Sequence, residues 1–231
     1  PTLRYLVENK AKIIILTHLG EPEGKLVPAL KLDKVRDRVE KLLDMHIMKS
    51  FDCVERDVEN QALRLKKGEI LLLENVRFHK KETENNADFA KKLSILGDIY
   101  INEAFDTCHR NHASVVGLPA LLPHGAGFAL EKEVKILSDI VKKPARPMVA
   151  IIGGAKAGTK AAYVQPIAML ADWVIIGGLI KKQWGVGGAN VLGPKNTDAL
   201  DISKEDIIAF TEKISHAKTV FWNGPFGKFE D

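Results

Sequence analysis

The stretch Ile101-Asn102-Glu103-Ala104-Phe105-Asp106-Thr107-Cys108-His109-Arg110-Asn111-His112-Ala113-Ser114 decides how this chain is read. It continues the run Ile99-Tyr100-Ile101, whose short β-branched and aromatic pattern suits a buried strand, and it packs three basic side chains into four positions. In open α/β sheets, ligands bind just past the carboxyl ends of the strands. A cluster holding His109, Arg110 and His112 at that place predicts an anion site. A polar surface loop has the same composition, so the stretch alone leaves both readings open.

Upstream, Ile13-Ile14-Ile15-Leu16 and Ile70-Leu71-Leu72-Leu73 are continuous apolar runs, the form of strands covered on both faces. The first ends in Thr17-His18-Leu19-Gly20-Glu21-Pro22 and the second in Glu74-Asn75-Val76-Arg77-Phe78-His79. Leu3, Leu6 and Val7 predict a helix, as do Leu32, Val35, Val39, Leu42 and Leu43, and then Phe89, Leu93 and Leu96. Helix and strand therefore alternate up to the opening stretch, which argues for a parallel sheet with crossover helices. Pro123-His124-Gly125 reads as loop, and Glu131 to Ile140 as a helix ending near Lys143-Pro144.

Downstream the pattern restarts. Met148 to Ile152, Trp173 to Ile176 and Thr219 to Trp222 read as strands that end in Gly153-Gly154, Gly177-Gly178 and Asn223-Gly224. The Gly-rich segment between Trp184 and Thr197 reads as loop or lost structure, and Pro166 is expected to interrupt the helix after Lys160. The expected class is α/β, with one domain over 1–130, a linker helix over 131–144, and a second, incomplete domain over 145–231.

Composition excludes several classes. With 231 residues, 45% hydrophobic and 28% charged, the chain can bury a substantial core. A net charge of +4 with pI near 8.9 suits a small anionic ligand. No Lys/Arg block or interleaved aromatics argue for nucleic acid. Cys53 and Cys108 make no disulfide framework or metal knuckle by spacing, which points to a reducing compartment. No apolar run is long enough to span a membrane and no signal peptide opens the chain. With no Met and an apolar-periodic pattern from the start, Pro1 to Glu8 reads as the middle of a helix-entry segment rather than a native amino terminus.

His18, Arg77, His109, Arg110 and His112 all follow apolar strands, and such a set suits a phosphorylated carboxylate, because the planar guanidinium pairs bidentately with its oxygens. Gly153-Gly154 and Gly177-Gly178 let a nucleotide approach the backbone, and Lys156 and Lys160 add charge at the entrance of the following helix. Neither a Gly-x-Gly-x-x-Gly fingerprint nor a P-loop is present.

Six segments in order resemble phosphoglycerate kinases: His18-Leu19-Gly20, Leu72 to His79, the His109-Arg110-x-His112 stretch, Gly127 to Glu133, Gly153-Gly154-Ala155-Lys156, and Trp222-Asn223-Gly224-Pro225. The resemblance implies two Rossmann-like parallel-sheet domains joined by a hinge helix, in a monomeric, cytoplasmic glycolytic enzyme. It implies binding of 3-phosphoglycerate or 1,3-bisphosphoglycerate through His18, Arg77, His109, Arg110 and His112. ADP or ATP with Mg2+ would meet Gly153, Gly154, Lys156, Lys160, Gly177, Gly178, Asn223 and Glu230, with Lys160 stabilising the phosphoryl group in transfer and Arg110 counted beside it as catalytic.

The chain also departs from the family pattern. Glu21 stands where the family has arginine, Glu103 where it has aspartate, Asp106 where it has glycine, and Gly158 where it has serine or alanine. The segment after Gly178 is several tens of residues short. The Asp-x-Asn-x-Pro strand and the Gly-Gly-Gly-Asp-Thr/Ser loop, whose aspartate holds magnesium, are expected to lie outside this sequence, so no residue here is assigned to the metal. The alternative is a noncatalytic relative that binds an anion or a protein partner.

Overall fold

The computed structural model describes residues 1–185 and 187–227. The chain divides into two compact units, Pro1–Lys135 and Ile136–Asp231.

In the first unit, α1 (Thr2–Glu8) leads to β1 (Ile13–Ile15), α2 (Asp33–Leu43) to β2 (Met48–Lys49), and α3 (Arg56–Arg64) to β3 (Ile70–Leu72). The three strands form one parallel sheet in the order β1-β3-β2, with Ile13 opposite Ile70 and Met48 opposite Leu71. As the central strand, β3 buries both faces, and alternation splits its side chains between two cores. Leu71 and the following Leu73 join Val54, Val58, Phe89 and Leu93 on one side. Ile70 and Leu72 join Ile13, Leu32 and Ile47 on the other. The four apolar residues Ile70 to Leu73 are each at most 2% exposed, which is why the run carries no polar alternation.

Short α4 (Lys80–Thr83) and α5 (Ala87–Ser94) follow, the latter capped by the Asn86 side chain, which accepts from Phe89 N–H. A separate two-stranded parallel sheet pairs β4 (Tyr100–Asn102) with β5 (His124–Ala126). Helix α6 (Phe128–Lys142) spans the division between the units.

The second unit is a four-stranded parallel sheet, order β8-β7-β6-β9, built from β6 (Met148–Ile152), β7 (Trp173–Ile176), β8 (Val191–Leu192) and β9 (Thr219–Asn223). Helices α7 (Ala157–Ala168), α8 (Gly178–Trp184) and α9 (Lys204–Ser215) connect them. Central β6 again alternates between two cores. Met148, Ala150 and Ile152 pack with Val164, Val174 and Ile180, while Val149 and Ile151 pack with Ile175 and Phe210.

Several sequence expectations are corrected. The Ile99 to Ile101 run is not buried: Ile99 and Ile101 are exposed, because β4 pairs only with β5 among the described residues. Pro123-His124-Gly125 is not all loop, since His124 starts β5; its Gly and Ala partners carried no strand pattern. Pro166 does not interrupt α7, which runs on to Ala168: the proline forfeits one N–H hydrogen bond, and only two helical residues follow it. Two-residue β2 and β8 were missed as too short to show a period, whereas the missed helix α3 is polar yet amphipathic, burying Val58, and its pattern lies within the sequence.

Candidate functional site

Buried polar residues directly after β3 organise the first site. Glu74 Oε1 accepts from Leu32 N–H at 3.0 Å and Asn75 N–H at 2.9 Å, while Oε2 accepts from Lys49 Nζ at 2.7 Å. Lys49 and Glu74 are both buried, so each satisfies a charge that would be costly alone. The Asn75 amide donates to the Leu19 and Leu30 carbonyls at 2.8 and 3.0 Å, and its oxygen accepts from Arg77 N–H. Asn75 thereby ties the loop carrying His18 and Glu21 to the turn carrying Arg77.

The Arg77 side chain is only 4% exposed. Its Nη1 donates to the Gly20 carbonyl at 3.1 Å and to Glu21 Oε1 at 2.6 Å. The same Glu21 oxygen lies 3.4 Å from Arg110 Nη2. His18 and His112 share this neighbourhood: burial first, and then the Arg77 charge, hold both imidazoles below their ordinary pKa of 6.5, and Arg110 adds to the effect in each. Asp106 and Glu21 pull His18 the other way. At neutral pH the two histidines are thus uncharged donor-acceptors beside two fixed cations.

His112 is steadied from behind. The buried Glu82 carboxylate accepts from Ser114 N–H at 2.9 Å and Ser114 Oγ at 2.5 Å, and lies 3.7 Å from His112 Nδ1. Burial raises the Glu82 pKa above its usual value, the Ser114 bonds opposing. Of the five basic residues singled out in the sequence, the structure brings together His18, Arg77, Arg110 and His112. His109 is exposed, and no ion pair or side-chain hydrogen bond ties it to the other four among the described residues.

Glu74, Asn75 and Glu82 were not singled out as site residues. The available signal was a carboxylate and an amide immediately following an all-apolar strand, a place where buried polar groups must find partners. Glu103 serves a different element: its Oε2 accepts from Ala129 and Leu130 N–H in the first turn of α6.

The second site lies at the carboxyl ends of β6, β7 and β9. Gly153 N–H donates to the Asn223 carbonyl at 2.8 Å and Gly177 N–H to the Ile152 carbonyl at 2.9 Å, so the glycines at all three strand ends adjoin. A Cβ on Gly153 would collide with the Pro225 backbone, and one on Gly224, at φ +84°, with the Gly153 carbonyl. Lys156 is the N-cap residue of α7 and is exposed. Lys160, one turn in, donates from Nζ to the Gly153 carbonyl at 2.5 Å. Gly177 caps α8, Gly178 opens it, and Asn223 ends β9 with its side chain exposed. Glu230 lies outside the described residues.

A magnesium ion wants several oxygen ligands. Among the described residues, the one cluster with metal-ligand spacing is Asp52, Cys53 and His79, in the first unit. There His79 Nε2 bonds Asp52 Oδ1 at 2.7 Å, the Cys53 thiol donates to the Glu74 carbonyl at 2.9 Å, and burial pushes the thiol pKa well up. That thiol is already committed and resists ionisation, so the trio reads as structural. The described residues of the glycine-lysine site offer two lysines, backbone groups and the Asn223 amide but no carboxylate, and they do not fit a protein-held magnesium ion.

Parallel sheets with glycine-rich and cationic strand ends define an α/β protein of the open-sheet class, in which ligands are bound at the strand termini. A family model described as phosphoglycerate kinase matches residues 1–186 and 186–231, and the chain belongs to that family. A phosphoglycerate kinase of Moorella thermoacetica is 36% identical over an alignment of 282 positions, covering 100% of this chain and 72% of the relative. The phosphoglycerate kinase structure from Pyrococcus horikoshii superposes with TM-score 0.84 at 26% identity, covering all of this chain and 72% of the other. That from Coxiella burnetii gives 0.75 at 28% identity, covering all of this chain and 71% of the other. An alignment of 282 positions over 231 residues, with the family match broken at 186, puts a deletion inside the second unit. This agrees with the short segment expected after Gly178.

Proposed function

We propose that the chain transfers a phosphoryl group between 1,3-bisphosphoglycerate and ADP, or in reverse between ATP and 3-phosphoglycerate. Family membership favours this over a noncatalytic role. The observation that carries the site assignment is the convergence of Arg77 and Arg110 on one carboxylate oxygen, which is how a guanidinium pair receives an anion.

In this reading the first unit takes the triose through His18, Arg77, His109, Arg110 and His112. The second takes ADP or ATP through Gly153, Gly154, Lys156, Lys160, Gly177, Gly178, Asn223 and Glu230, with magnesium arriving on the nucleotide phosphates. In the forward direction the bond from the acyl oxygen to phosphorus breaks, a new bond forms to the terminal phosphate oxygen of ADP, and the triose leaves as a carboxylate. Arg110 neutralises charge on the triose side. Lys160 exchanges its bond to the Gly153 carbonyl for a phosphoryl oxygen and follows the group in transfer. Such a reaction depends on positioning and charge neutralisation more than on covalent catalysis.

We place the protein in the cytoplasm as a monomer acting on small anions rather than nucleic acid. Mild net charge with dispersed cations supports small anions over nucleic acid. Among the described residues no helix is long and apolar enough to cross a membrane. Calorimetric titration with 3-phosphoglycerate and with ADP tests the division of labour. Lys160→Ala should weaken ADP alone, and a loss of 3-phosphoglycerate binding in that variant would refute it.

A further inference from the structure

A buried cation needs a counter-charge. Arg77 has one from its own chain: Glu21 Oε1 sits 2.6 Å from Nη1, and the same oxygen reaches 3.4 Å from Arg110 Nη2. One carboxylate oxygen therefore bridges both guanidinium groups of the cluster. The bridge is asymmetric in burial, because Arg77 is enclosed while the Glu21 side chain is 62% exposed. Glu21 can rotate into solvent without unpacking the core. Its starting point is fixed by Gly20, at φ +65°, where a Cβ would press on the Leu30 side chain at 2.9 Å. The bridge also leaves a donor over: Arg110 Nε is buried and unpartnered among the described residues. A ligand with more oxygens than one carboxylate could satisfy it.

We propose that the Glu21 carboxylate is an internal anion that occupies the Arg77–Arg110 subsite, so that an incoming phosphate or carboxylate must displace it. This deepens the proposed function and rests on the reading of the cluster as an anion site. Occupancy differs from long-range repulsion in two ways. Glu21 compensates the Arg77 charge in the free protein, so removing the carboxylate lowers free stability while raising ligand affinity. The competing state also reduces apparent affinity by the fraction of molecules in which Glu21 has swung away. Occupancy depends on reach as well as charge, since a carboxylate one methylene shorter keeps its charge but cannot bridge both arginines.

The test uses the full chain with 3-phosphoglycerate and, separately, inorganic phosphate as probes, read by calorimetry and thermal melting. Glu21→Gln is expected to bind 3-phosphoglycerate at least tenfold tighter and to melt lower when free, with a larger ligand-induced rise. Glu21→Asp is expected to follow Glu21→Gln. If Glu21→Asp matches the parent while Glu21→Gln binds tighter, field repulsion rather than occupancy is at work and the proposal is overturned. If both variants match the parent while Arg110→Ala loses binding, the proposal fails and the anion site stands. If parent, Glu21→Gln and Arg110→Ala all ignore both probes, the anion-site reading falls and takes the proposal with it.

Discussion

Arg110 carries a sharp test at the scale of single residues. Arg110→Ala is expected to weaken 3-phosphoglycerate binding by about 1.5–3 kcal/mol, the range for hydrogen bonds to charged groups, and to leave ADP binding unchanged. Unchanged triose affinity in a calorimetric titration would remove Arg110 from the site. His18 and His112 give a pH signature. Their folded pKa values lie below the ordinary 6.5, so the fold binds their protons less readily than the unfolded chain does. Their contribution to stability is intact above about pH 6.5 and is lost as the pH falls through that value toward the depressed folded pKa values. Glu82 works with the opposite sign: burial raises its pKa, so its contribution grows as the pH falls through that raised value. Urea midpoints at pH 7.5 and pH 6, compared with a His18→Gln, His112→Gln double variant, isolate the histidine part. The fall should be smaller in the double variant, and identical slopes would contradict the depressed values.

Among the elements, helix ends are where local chemistry is most readable. Ser203 caps α9 in a capping box: its Oγ accepts from Asp206 N–H at 3.1 Å, and Asp206 Oδ2 accepts from Ser203 N–H at 3.1 Å. Ser203→Ala is expected to cost about 0.5–2 kcal/mol of stability, measured by chemical denaturation, with the ligand cluster of the first unit unaffected. No measurable cost would mean that the box is dispensable. Glu103 caps α6 from a distant part of the sequence, and no local pattern announces that. Strands β1, β3, β6 and β7 were legible because strands buried on both faces are written as continuous apolar runs. Strand β5 was not, since His124, Gly125 and Ala126 are all exposed and carry no apolar pattern; β4 reads as a strand from its sequence, but its exposure and its partner do not.

Across the whole molecule the two units can be probed separately, because all three tryptophans, Trp173, Trp184 and Trp222, lie in the second. Ile175 is 1% exposed in the core of that unit, and Ile175→Ala is expected to cost about 2–5 kcal/mol and to lower the tryptophan-fluorescence midpoint. Leu71, fully buried in the first unit, is expected to cost a similar amount on replacement by alanine, read by circular dichroism because that unit holds no tryptophan. An unshifted fluorescence midpoint in Ile175→Ala would contradict its packing against Val149, Ile151 and Phe210.

By itself the sequence determined the α/β class, the strand ends that carry cations and glycines, and the family, because each is encoded by neighbours along the chain: apolar runs, turn residues and short motifs. Only the tertiary structure decided which basic residues meet. It joined His18, Arg77, Arg110 and His112 across long separations, left His109 exposed, and set Glu21 between two arginines. It also turned Glu74, Asn75 and Glu82 from ordinary polar residues into the supports of the site. The reason is physical. A buried polar or charged group is stable only with a partner, and that partner is chosen by which loops the packed sheet brings together rather than by proximity in sequence.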